Sequence, residues 1–486
     1  RAGFELSEST ELYTQLLWAD YAASQALAST PMTGIYVRPD NPNIAPDLAA
    51  LLASRPDPTE MFSFSKRVLE AGPRVATDKY EVVQFIAGAN GDLPIAEEWT
   101  WDAYASWGNV DQTNTQAGNV SRSAFEQLTL AADHGASLCG AAVNPFGLNS
   151  MSEECAAFVT KGAVNNTTVR QTVGEAFVTG PLFEMPAGDV QSAVGVMYKR
   201  DEFAFLPDAS LTAVSNDPLF PETERTDIVG FNAQDVVRGD TNSKEVYAEG
   251  SFPLLADMPA IQRLDLTLGY RFADHSTAGN MSSYKAEGIW DVSESFTVRG
   301  GYQRAVRAPN ISELFQPAVI NFPATTLGDP CSNDFNDPEG NVVGAQDDPA
   351  ARALCVAQGI PEGAIDSYIF TNAQFQGLAG GNPDLSEETA DTYTLGMVFQ
   401  PADGPLSGFQ ASVDYYTIEI EDAINSIDAD VIVERCFDRR FNPELSNDNF
   451  YCTFFERLPG QNTITNALEQ ETNIAAFEVE GVDLQV

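Results

Sequence analysis

The chain has 486 residues, with 26 Lys and Arg against 70 Asp and Glu, and a formal net charge of −44. This charge argues against nucleic acid as a partner, because nucleic-acid binding needs a cationic surface that displaces counterions. With 43% apolar and 10% aromatic residues the chain can bury a large surface, so its composition is not that of a disordered protein. It has no run of about 18 apolar residues and hence no transmembrane helix, whereas transmembrane β-strands need only an alternating pattern.

The first third of the chain reads as strands separated by polar connections. RAGFELSEST is predicted as the end of one strand and a turn, and the first complete strand is predicted from Glu11 to Ala22. A Pro-rich connection follows, and a short helix is predicted at Pro46 to Ser54 because proline suits the first turn of a helix. Tyr80 to Gly88 and Glu98 to Asn109 are predicted to form a hairpin.

Two more hairpins are predicted after a long connection from about Asp111 to Val169. The first joins strands near Gly174 to Phe183 and Asp189 to Phe203, and the second joins Lys244 to Phe252 and Ile261 to Asp274. In the last of these strands the side chains alternate most regularly. One face carries apolar residues and the other polar residues: Leu264, Leu266, Leu268, Tyr270 and Phe272 against Asp265, Thr267, Gly269 and Arg271.

The stretch from Ile289 to Phe315 reads as two strands joined by a short turn and followed by a compact polar motif. Its second strand alternates in the same way: Phe296, Val298, Gly300 and Tyr302 against Thr297, Arg299, Gly301 and Gln303. Such a strand separates an apolar medium from a polar one. The motif, R-x-x-R-A-P-N-x-x-E-L-F, comprises Arg304, Arg307, Ala308, Pro309, Asn310, Glu313, Leu314 and Phe315.

A connection of roughly eighty residues, Ala305 to Ala390, follows and contains a predicted helix from Asp348 to Gly359, with an Asp cap, a Pro start and a Gly stop. Near its end lies a second motif, whose residues are Gly381, Asn382, Pro383 and Leu385. Strands are then predicted at Asp391 to Gln400 and at Phe409 to Ile420, with a bulge near Tyr415-Tyr416 where the alternation slips.

Short and long connections alternate along the chain. Compact soluble domains seldom carry several long loops, whereas bacterial outer-membrane barrels have short turns on one side and long loops on the other. The predicted fold class is therefore all-β, an incomplete antiparallel transmembrane β-barrel with about 13 strands and long extracellular loops.

The six cysteines form three local pairs, each inside one predicted long connection: Cys139 with Cys155, Cys331 with Cys355, and Cys436 with Cys452. Local pairing in an exported protein favours disulfides that close loops in an oxidising compartment, each worth about 3 kcal/mol by a chain-entropy estimate. Zinc is the competing interpretation. Zinc sites need clustered Cys or His at short spacing, and this chain has no C-x-x-C and only His134 and His275.

The two motifs resemble those of TonB-dependent outer-membrane receptors. GYQRAVRAPNISELF is similar to their strand-to-loop motif, and GNPDLSEETADTYTLGMVFQP is similar to the return of the chain into the barrel. The resemblance implies a barrel of roughly 22 strands that encloses an N-terminal plug. With about 13 strands and no recognisable plug, residues 1–486 are expected to be a partial barrel domain, truncated at both ends.

The resemblance also implies transport, namely TonB-dependent uptake of a nutrient such as an iron chelate, cobalamin or an oligosaccharide across the outer membrane of a Gram-negative bacterium. The implied partners are outer-membrane lipid, the small-molecule or oligosaccharide ligand, and the TonB–ExbB–ExbD complex, reached through the missing N-terminal region. A passive porin and a secreted all-β carbohydrate-binding protein are the alternatives. Detergent dependence would separate the secreted protein from the other two, and an upstream plug would separate the receptor from the porin.

Enzyme chemistry finds no support in the sequence, and no catalytic, cofactor or metal residues are predicted. The hydrolase motifs G-x-S-x-G and H-E-x-x-H are absent. Among 70 carboxylates, close acidic pairs arise by chance and do not indicate a glycosidase.

The first motif has a structural and a functional interpretation. In the structural one Pro309 ends the strand, Asn310 caps a turn, and Leu314 and Phe315 pack the base of the loop. In the functional one the arginines face a substrate. The connection after this motif is the predicted ligand-contact loop, because it is rich in aromatic and amide side chains that suit sugars or aromatic chelates or pack the loop on itself: Phe322, Asn333, Phe335, Asn336, Phe370 and Phe375.

Overall fold

The computed structural model describes residues 1–94, 96, 98–147, 151–212, 226–229, 233–317, 319–371, 373–401, 403–457 and 462–486. Its strands are β1 (Ala2–Ser7), β2 (Thr10–Leu27), β3 (Pro31–Val37), β4 (Phe62–Arg67), β5 (Arg74–Asp92), β6 (Thr100–Val120), β7 (Thr160–Met185), β8 (Gly188–Leu206), β9 (Val237–Met258), β10 (Ile261–His275), β11 (Gly279–Ser293), β12 (Phe296–Arg307), β13 (Val319–Asn321), β14 (Gly377–Gly380), β15 (Glu388–Phe399), β16 (Ala411–Ser426), β17 (Glu456–Arg457), β18 (Ile464–Thr465) and β19 (Ala467–Gln485). Its α-helices are α1 (Pro46–Ala53), α2 (Arg122–Leu130), α3 (Ala136–Cys139), α4 (Glu153–Val159), α5 (Ile311–Phe315), α6 (Pro349–Ala357) and α7 (Ala429–Phe437).

Thirteen of these strands form one antiparallel sheet in chain order, β1-β2-β5-β6-β7-β8-β9-β10-β11-β12-β15-β16-β19. At one edge the short β14 pairs in parallel with the first residues of β19, and β13 pairs with β14. In the described part of the chain β1 does not pair with β19, so the sheet is not closed into a barrel. The mostly β fold and the large antiparallel sheet agree with the predicted class.

The connections alternate between two ends of the sheet. At one end they are short and span residues 8–9, 93–99, 186–187, 259–260, 294–295 and 400–410. At the other end, called here the long-loop end, five connections span 30 residues or more and one is a three-residue turn. The long connections are 28–73, 121–159, 207–236, 308–387 and 427–466, and the turn is 276–278. The structure contains disulfides between Cys139 and Cys155, Cys331 and Cys355, and Cys436 and Cys452, and all lie at the long-loop end.

Several strands extend further toward the long-loop end than predicted. β6 runs to Val120 rather than Asn109, and β7 begins at Thr160, well before Gly174. The added part of β6 is polar on both faces, from Gln112 to Gln116, so it has no hydrophobic alternation to detect. The ladder of backbone hydrogen bonds nevertheless continues there.

The strands have an apolar and a polar face, as the alternation predicts. On the apolar face Leu268 and Tyr270 of β10 are 42% and 51% exposed, far more than a soluble core would allow. On the polar face Glu175 of β7 accepts hydrogen bonds from the hydroxyls of Tyr104 (2.7 Å) and Tyr247 (2.8 Å). The sheet therefore presents a continuous apolar surface to one side and hydrogen-bonded side chains to the other.

The predicted bulge at Tyr415-Tyr416 is wrong. Tyr415 and Tyr416 pair regularly with Leu395 and Thr394, and the register shift lies between Ile420 and Ala423. The ring of Tyr416 lies on the polar face over a glycine of β19, so the alternation is broken by residue type and not by the backbone. Among the described residues no helix has the length and apolarity to cross a membrane.

Candidate functional site

The first motif starts a short helix at the long-loop end of β12. The side-chain oxygen of Asn310 accepts hydrogen bonds from the backbone N–H groups of Ser312 and Glu313, both at 2.9 Å. The carboxylate of Glu313 accepts in return from the backbone N–H of Asn310 at 2.7 Å. This reciprocal capping box explains how α5 forms although it has only five residues.

The second motif packs directly against this helix. The backbone N–H of Gly381 donates to the carbonyl of Gln316 (3.0 Å), and that of Asn382 donates to the carbonyl of Glu313 (2.7 Å). The side-chain amide of Asn382 donates to the carbonyl of Glu471 on β19 at 2.9 Å. Pro383 follows, and Leu385 is buried. The two motifs, about seventy residues apart in sequence, thus form one junction.

Gly381→Ala is expected to disturb this junction. A Cβ at Gly381 would lie 2.7 Å from the backbone nitrogen of Gln316 and 2.8 Å from the carbonyl oxygen of Glu313, and neither backbone atom can move without unwinding α5. We expect a destabilisation of about 1–3 kcal/mol, seen as a lower temperature for the heat-induced gel shift of the folded protein. Gly363→Ala, at an open position in the same connection, is the control and should leave that temperature unchanged.

The two arginines of the first motif face opposite sides of the sheet. Arg307 lies on the polar face and pairs with Glu388 and, at 3.0 Å, with Glu313. Arg304 lies on the apolar face, where it pairs with Asp391 at 3.3 Å. Only Arg307 is therefore placed to line the space beside the polar face.

A polar chamber of about 590 Å³ lies between the first motif and the polar face of β8 to β11. Residues 306–311 form one side, and Lys199, Glu245, Arg271 and His275 contribute side chains from the strands. Phe315, at the end of α5, packs on Gly239 of β9. The short helix therefore crosses from β12 over the neighbouring strands and covers the chamber.

The charges around this chamber are paired. Lys199 lies 3.0 Å from Asp201, and Arg271 forms an ion pair with Glu245. Sequence analysis did not single out these residues as a site, because they lie on three strands, β8, β9 and β10, and only the register brings the two ion pairs to one place. In the sequence these residues could be recognised only by their place in the alternation, which puts them on the polar face of their strands. The arrangement suits the passage of a hydrated solute, and the described residues contain no group of three or more His, Cys, Asp or Glu side chains that could hold a metal ion.

Two long connections fold together into one unit, called here the loop cap (the described residues within 319–380 and 427–466). Their buried side chains form a common core that includes Leu354 of α6 and Ile432 and Phe437 of α7. The backbone N–H of Val343 donates to the carbonyl of Phe437 at 3.1 Å. Two of the three disulfides lie in this unit. Most of the predicted connection from Ala305 to Ala390 therefore belongs to a small packed subdomain, and its predicted helix is present as α6.

A buried ion pair joins the two halves of the loop cap. Arg457 makes two hydrogen bonds to the carboxylate of Asp329, at 2.6 and 2.8 Å, and the two side chains are 2% and 0% exposed. The hydroxyl of Tyr368 donates to the same carboxylate at 2.8 Å. Burial and the adjacent carboxylate raise the pKa of Tyr368, which keeps this donor protonated. Burial alone would lower the pKa of Arg457, but Asp329 outweighs it and raises that pKa.

The residues of the predicted ligand-contact loop separate into two groups. Phe322, Phe370 and Phe375 line one cavity of the loop cap. Asn333 instead donates its side-chain amide to the carbonyl of Asp366 at 2.8 Å, and Phe335 packs against the cap core. Asn336 is exposed and does not line that cavity. Sequence composition identified the loop but could not separate these two groups.

The first disulfide belongs to a second packed unit at the long-loop end. Cys139 and Cys155 are buried with Phe125 and Leu128 of α2 and with Ile35 of β3. This core joins the connection 28–73 to the connection 121–159. The long-loop end is thus covered by two folded units rather than by open loops.

An acidic cluster on the loop cap surrounds Glu434 of α7. Burial, and then the carboxylates of Asp430, Asp337 and Asp438, raise the pKa of Glu434. A raised carboxyl pKa contributes stability that is present below the unfolded value and is lost as pH rises through the folded value. At neutral pH the ionised Glu434 therefore destabilises the cap.

Glu434→Gln is accordingly expected to slow hydrogen exchange in the loop cap at pH 7, and the gain should vanish below about pH 4, near the unperturbed value for Glu. The measurement is the ratio of exchange rates of variant and parent at each pH, since intrinsic rates cancel. Glu444→Gln, at an exposed position, is the control. A ratio that does not vary with pH would contradict the raised pKa of Glu434.

Comparison with known proteins identifies the family. The profile of the TonB dependent receptor-like, beta-barrel family matches residues 12–484, nearly the whole chain. The chain belongs to this family. The predicted family and fold class are confirmed, and because members are transport receptors, so is the prediction that the chain is not an enzyme.

Solved structures of siderophore receptors are similar to the chain at low identity. A mutant of the ferric enterobactin receptor PfeA from Pseudomonas aeruginosa has 14% identity and a TM-score of 0.48, over 99% of this chain and 47% of that one. The siderophore receptor PirA from Acinetobacter baumannii has 14% identity and a TM-score of 0.43, over 99% and 48%. The chain thus spans about half the length of these structures. No curated protein matches it.

Proposed function

We propose that this chain is part of an outer-membrane receptor that imports a nutrient in an energy-coupled step. The observation that carries the proposal is the family match over residues 12–484. The nutrient classes that suit the family resemblance are iron chelates, cobalamin and oligosaccharides. The protein would reside in the outer membrane of a Gram-negative bacterium.

The two faces of the sheet support a place in the membrane. Leu395 and Met397 of β15 are 53% and 43% exposed on the apolar face, and contact with lipid would remove such residues from water. Backbone groups within a bilayer must also be hydrogen-bonded, because lipid offers no partners. The open edges at β1 and β19 would therefore pair with further strands of a larger barrel, and residues 1–486 would be a partial barrel domain.

The polar side supports transport. The loop cap would hold the ligand at the long-loop end, outside the cell, and the polar chamber lined by Arg271 and Arg307 would receive it next. Paired charges offer hydrogen bonds without a strong net field, so a solute can be held weakly and released. Energy coupling would need an N-terminal plug in the lumen and the TonB–ExbB–ExbD complex that acts on it. These partners belong to the proposal.

The test compares uptake of radiolabelled nutrients by cells that carry or lack the receptor gene, each with and without a working TonB complex. Uptake that requires both is the expected result. If the protein instead allows size-limited diffusion of many solutes into liposomes, independent of energy, it is a passive porin. If it stays soluble without detergent, it is a secreted binding protein. Either outcome would overturn the proposal.

A further inference from the structure

The loop cap contains a cavity of about 310 Å³ between its two halves. Residues 322–376 of the first half supply most of its lining, and Thr463 and Ile464 of the second half close it. Pockets of this size are in the range that holds small ligands, where aromatic walls and a few polar groups set orientation. The cavity lies apart from the polar chamber below the first motif, with which it shares no lining residue.

The aromatic walls of this cavity are held in place. Phe375 is 1% exposed, and its ring centre lies 5.4 Å from that of Phe370 at an interplanar angle of 39°. Phe322 stands at the opening and is 56% exposed. A large aromatic side chain exposed beside a cavity offers a flat surface on which a ligand ring can stack.

Two carboxamides complete the lining. The side-chain amide of Gln374 donates to the carbonyl of Phe322 at 2.5 Å, and that of Gln376 donates to the side-chain oxygen of Asn466 at 3.3 Å. These bonds use the amide nitrogens and fix the orientation of both groups. The carboxamide oxygens and the hydroxyl of Thr463 then serve as hydrogen-bonding groups for a ligand.

The lining has no charge. None of the described residues that line the cavity is ionisable, although the connection 308–387 contains 11 Asp and Glu and one Arg. A charged ligand would lose hydration here without gaining an ionic partner. An anionic ligand would in addition approach through a negative surface.

We propose that this cavity binds an uncharged, hydroxyl-rich ring, which is the chemistry of one unit of a neutral oligosaccharide. The C–H groups of one sugar face pack on Phe322, and the hydroxyls donate to Gln374 and Gln376. This inference rests on the proposed function and narrows its substrate class: the receptor takes up a neutral oligosaccharide that is first held in the loop cap.

The test titrates the full-length receptor in detergent with the neutral trisaccharides maltotriose, cellotriose and laminaritriose, and with two charged probes, tetramethylammonium and a ferric tris-catecholate. We expect at least one trisaccharide to bind. Phe322→Ala should then weaken its affinity by about tenfold, the loss of one aromatic contact. Phe450→Ala is the matched control, since Phe450 is 48% exposed in the other half of the cap and does not line the cavity.

Gln376→Glu provides a second variant that tests the uncharged lining. For a neutral sugar it should weaken binding several-fold, because the new carboxylate cannot donate to the side-chain oxygen of Asn466 and its orientation is no longer fixed by that bond. Binding of tetramethylammonium, but of no trisaccharide, by the parent receptor would show a cation site and overturn the inference. So would trisaccharide affinities that Phe322→Ala leaves unchanged, or the failure of all three sugars to bind.

Uptake assays separate failure of this inference from failure of the proposed function. Energy-dependent uptake of another solute, with no sugar bound in the cavity, overturns the inference and leaves the receptor function intact. Absence of energy-dependent uptake of any solute overturns the function itself.

Discussion

Arg457→Ala is expected to unfold the loop cap locally while the strands stay folded. The substitution leaves the buried Asp329 carboxylate without its charged partner and with two hydrogen-bond donors, the hydroxyl of Tyr368 at 2.8 Å and the backbone N–H of Cys331 at 2.9 Å. Removing one partner of a buried ion pair typically destabilises a protein by about 3–5 kcal/mol. Because the pair joins two connections separated by β15 and β16, its loss should open the cap rather than the sheet.

Hydrogen exchange measured by mass spectrometry would show this effect. Peptides from 329–368 and 429–457 should lose protection, whereas peptides from β9 and β10 should keep theirs. The control is Arg439→Ala, which breaks the ion pair with Asp348 at a 47% exposed side chain, where such pairs contribute about 0–1 kcal/mol. Adding Asp329→Asn to Arg457→Ala should restore part of the protection, because the uncompensated charge is removed. Equal exchange in the two single arginine variants would contradict a special role for the buried pair.

Leu268→Arg should destabilise the barrel by about 2–4 kcal/mol, the range for a cation on the lipid face near the middle of the bilayer. Leu268 is 42% exposed on the apolar face in the middle of β10. Its neighbour Thr267 points to the polar face, so Thr267→Arg places the same side chain beside Glu287, the residue paired with it on β11. Thr267→Arg should therefore have little effect.

The measurement is the free energy of unfolding in urea of the full-length receptor refolded into phospholipid vesicles, read from tryptophan fluorescence. The two variants differ by one position and carry the same new residue, so the net charge of the chain is matched. Equal stability of the two variants would mean that the apolar face of β10 does not contact lipid.

Much of the sheet could be predicted from sequence because its signals are local. A strand between lipid and a polar interior alternates every second residue, and β10 and β12 show this directly. The helix α6 was predictable from Asp348, Pro349 and Gly359, since caps act within one turn. Toward the long-loop end β6 and β7 lose this alternation, which is why both strands were predicted too short.

The site was less predictable because its contacts are not local. Sequence singled out Arg307 and Gly381, but only the structure shows that the second motif packs on the helix of the first. The polar chamber depends on the register of β8 to β11, which sets Lys199, Glu245 and Arg271 beside one another. Register is a property of paired strands and has no signature in either strand alone.

By itself, then, the sequence determined the strand periodicity, the local cysteine pairs and the two motifs, because each depends on residues close together along the chain. The tertiary structure decided that Asp329 and Arg457, 128 residues apart, share one buried ion pair, and that Phe322 and Thr463 border one cavity. Burial of a charge or of an aromatic ring depends on which distant segment covers it. Which segment covers each group depends on how the whole loop cap packs, because residues of both connections contribute to the free energy of burying it.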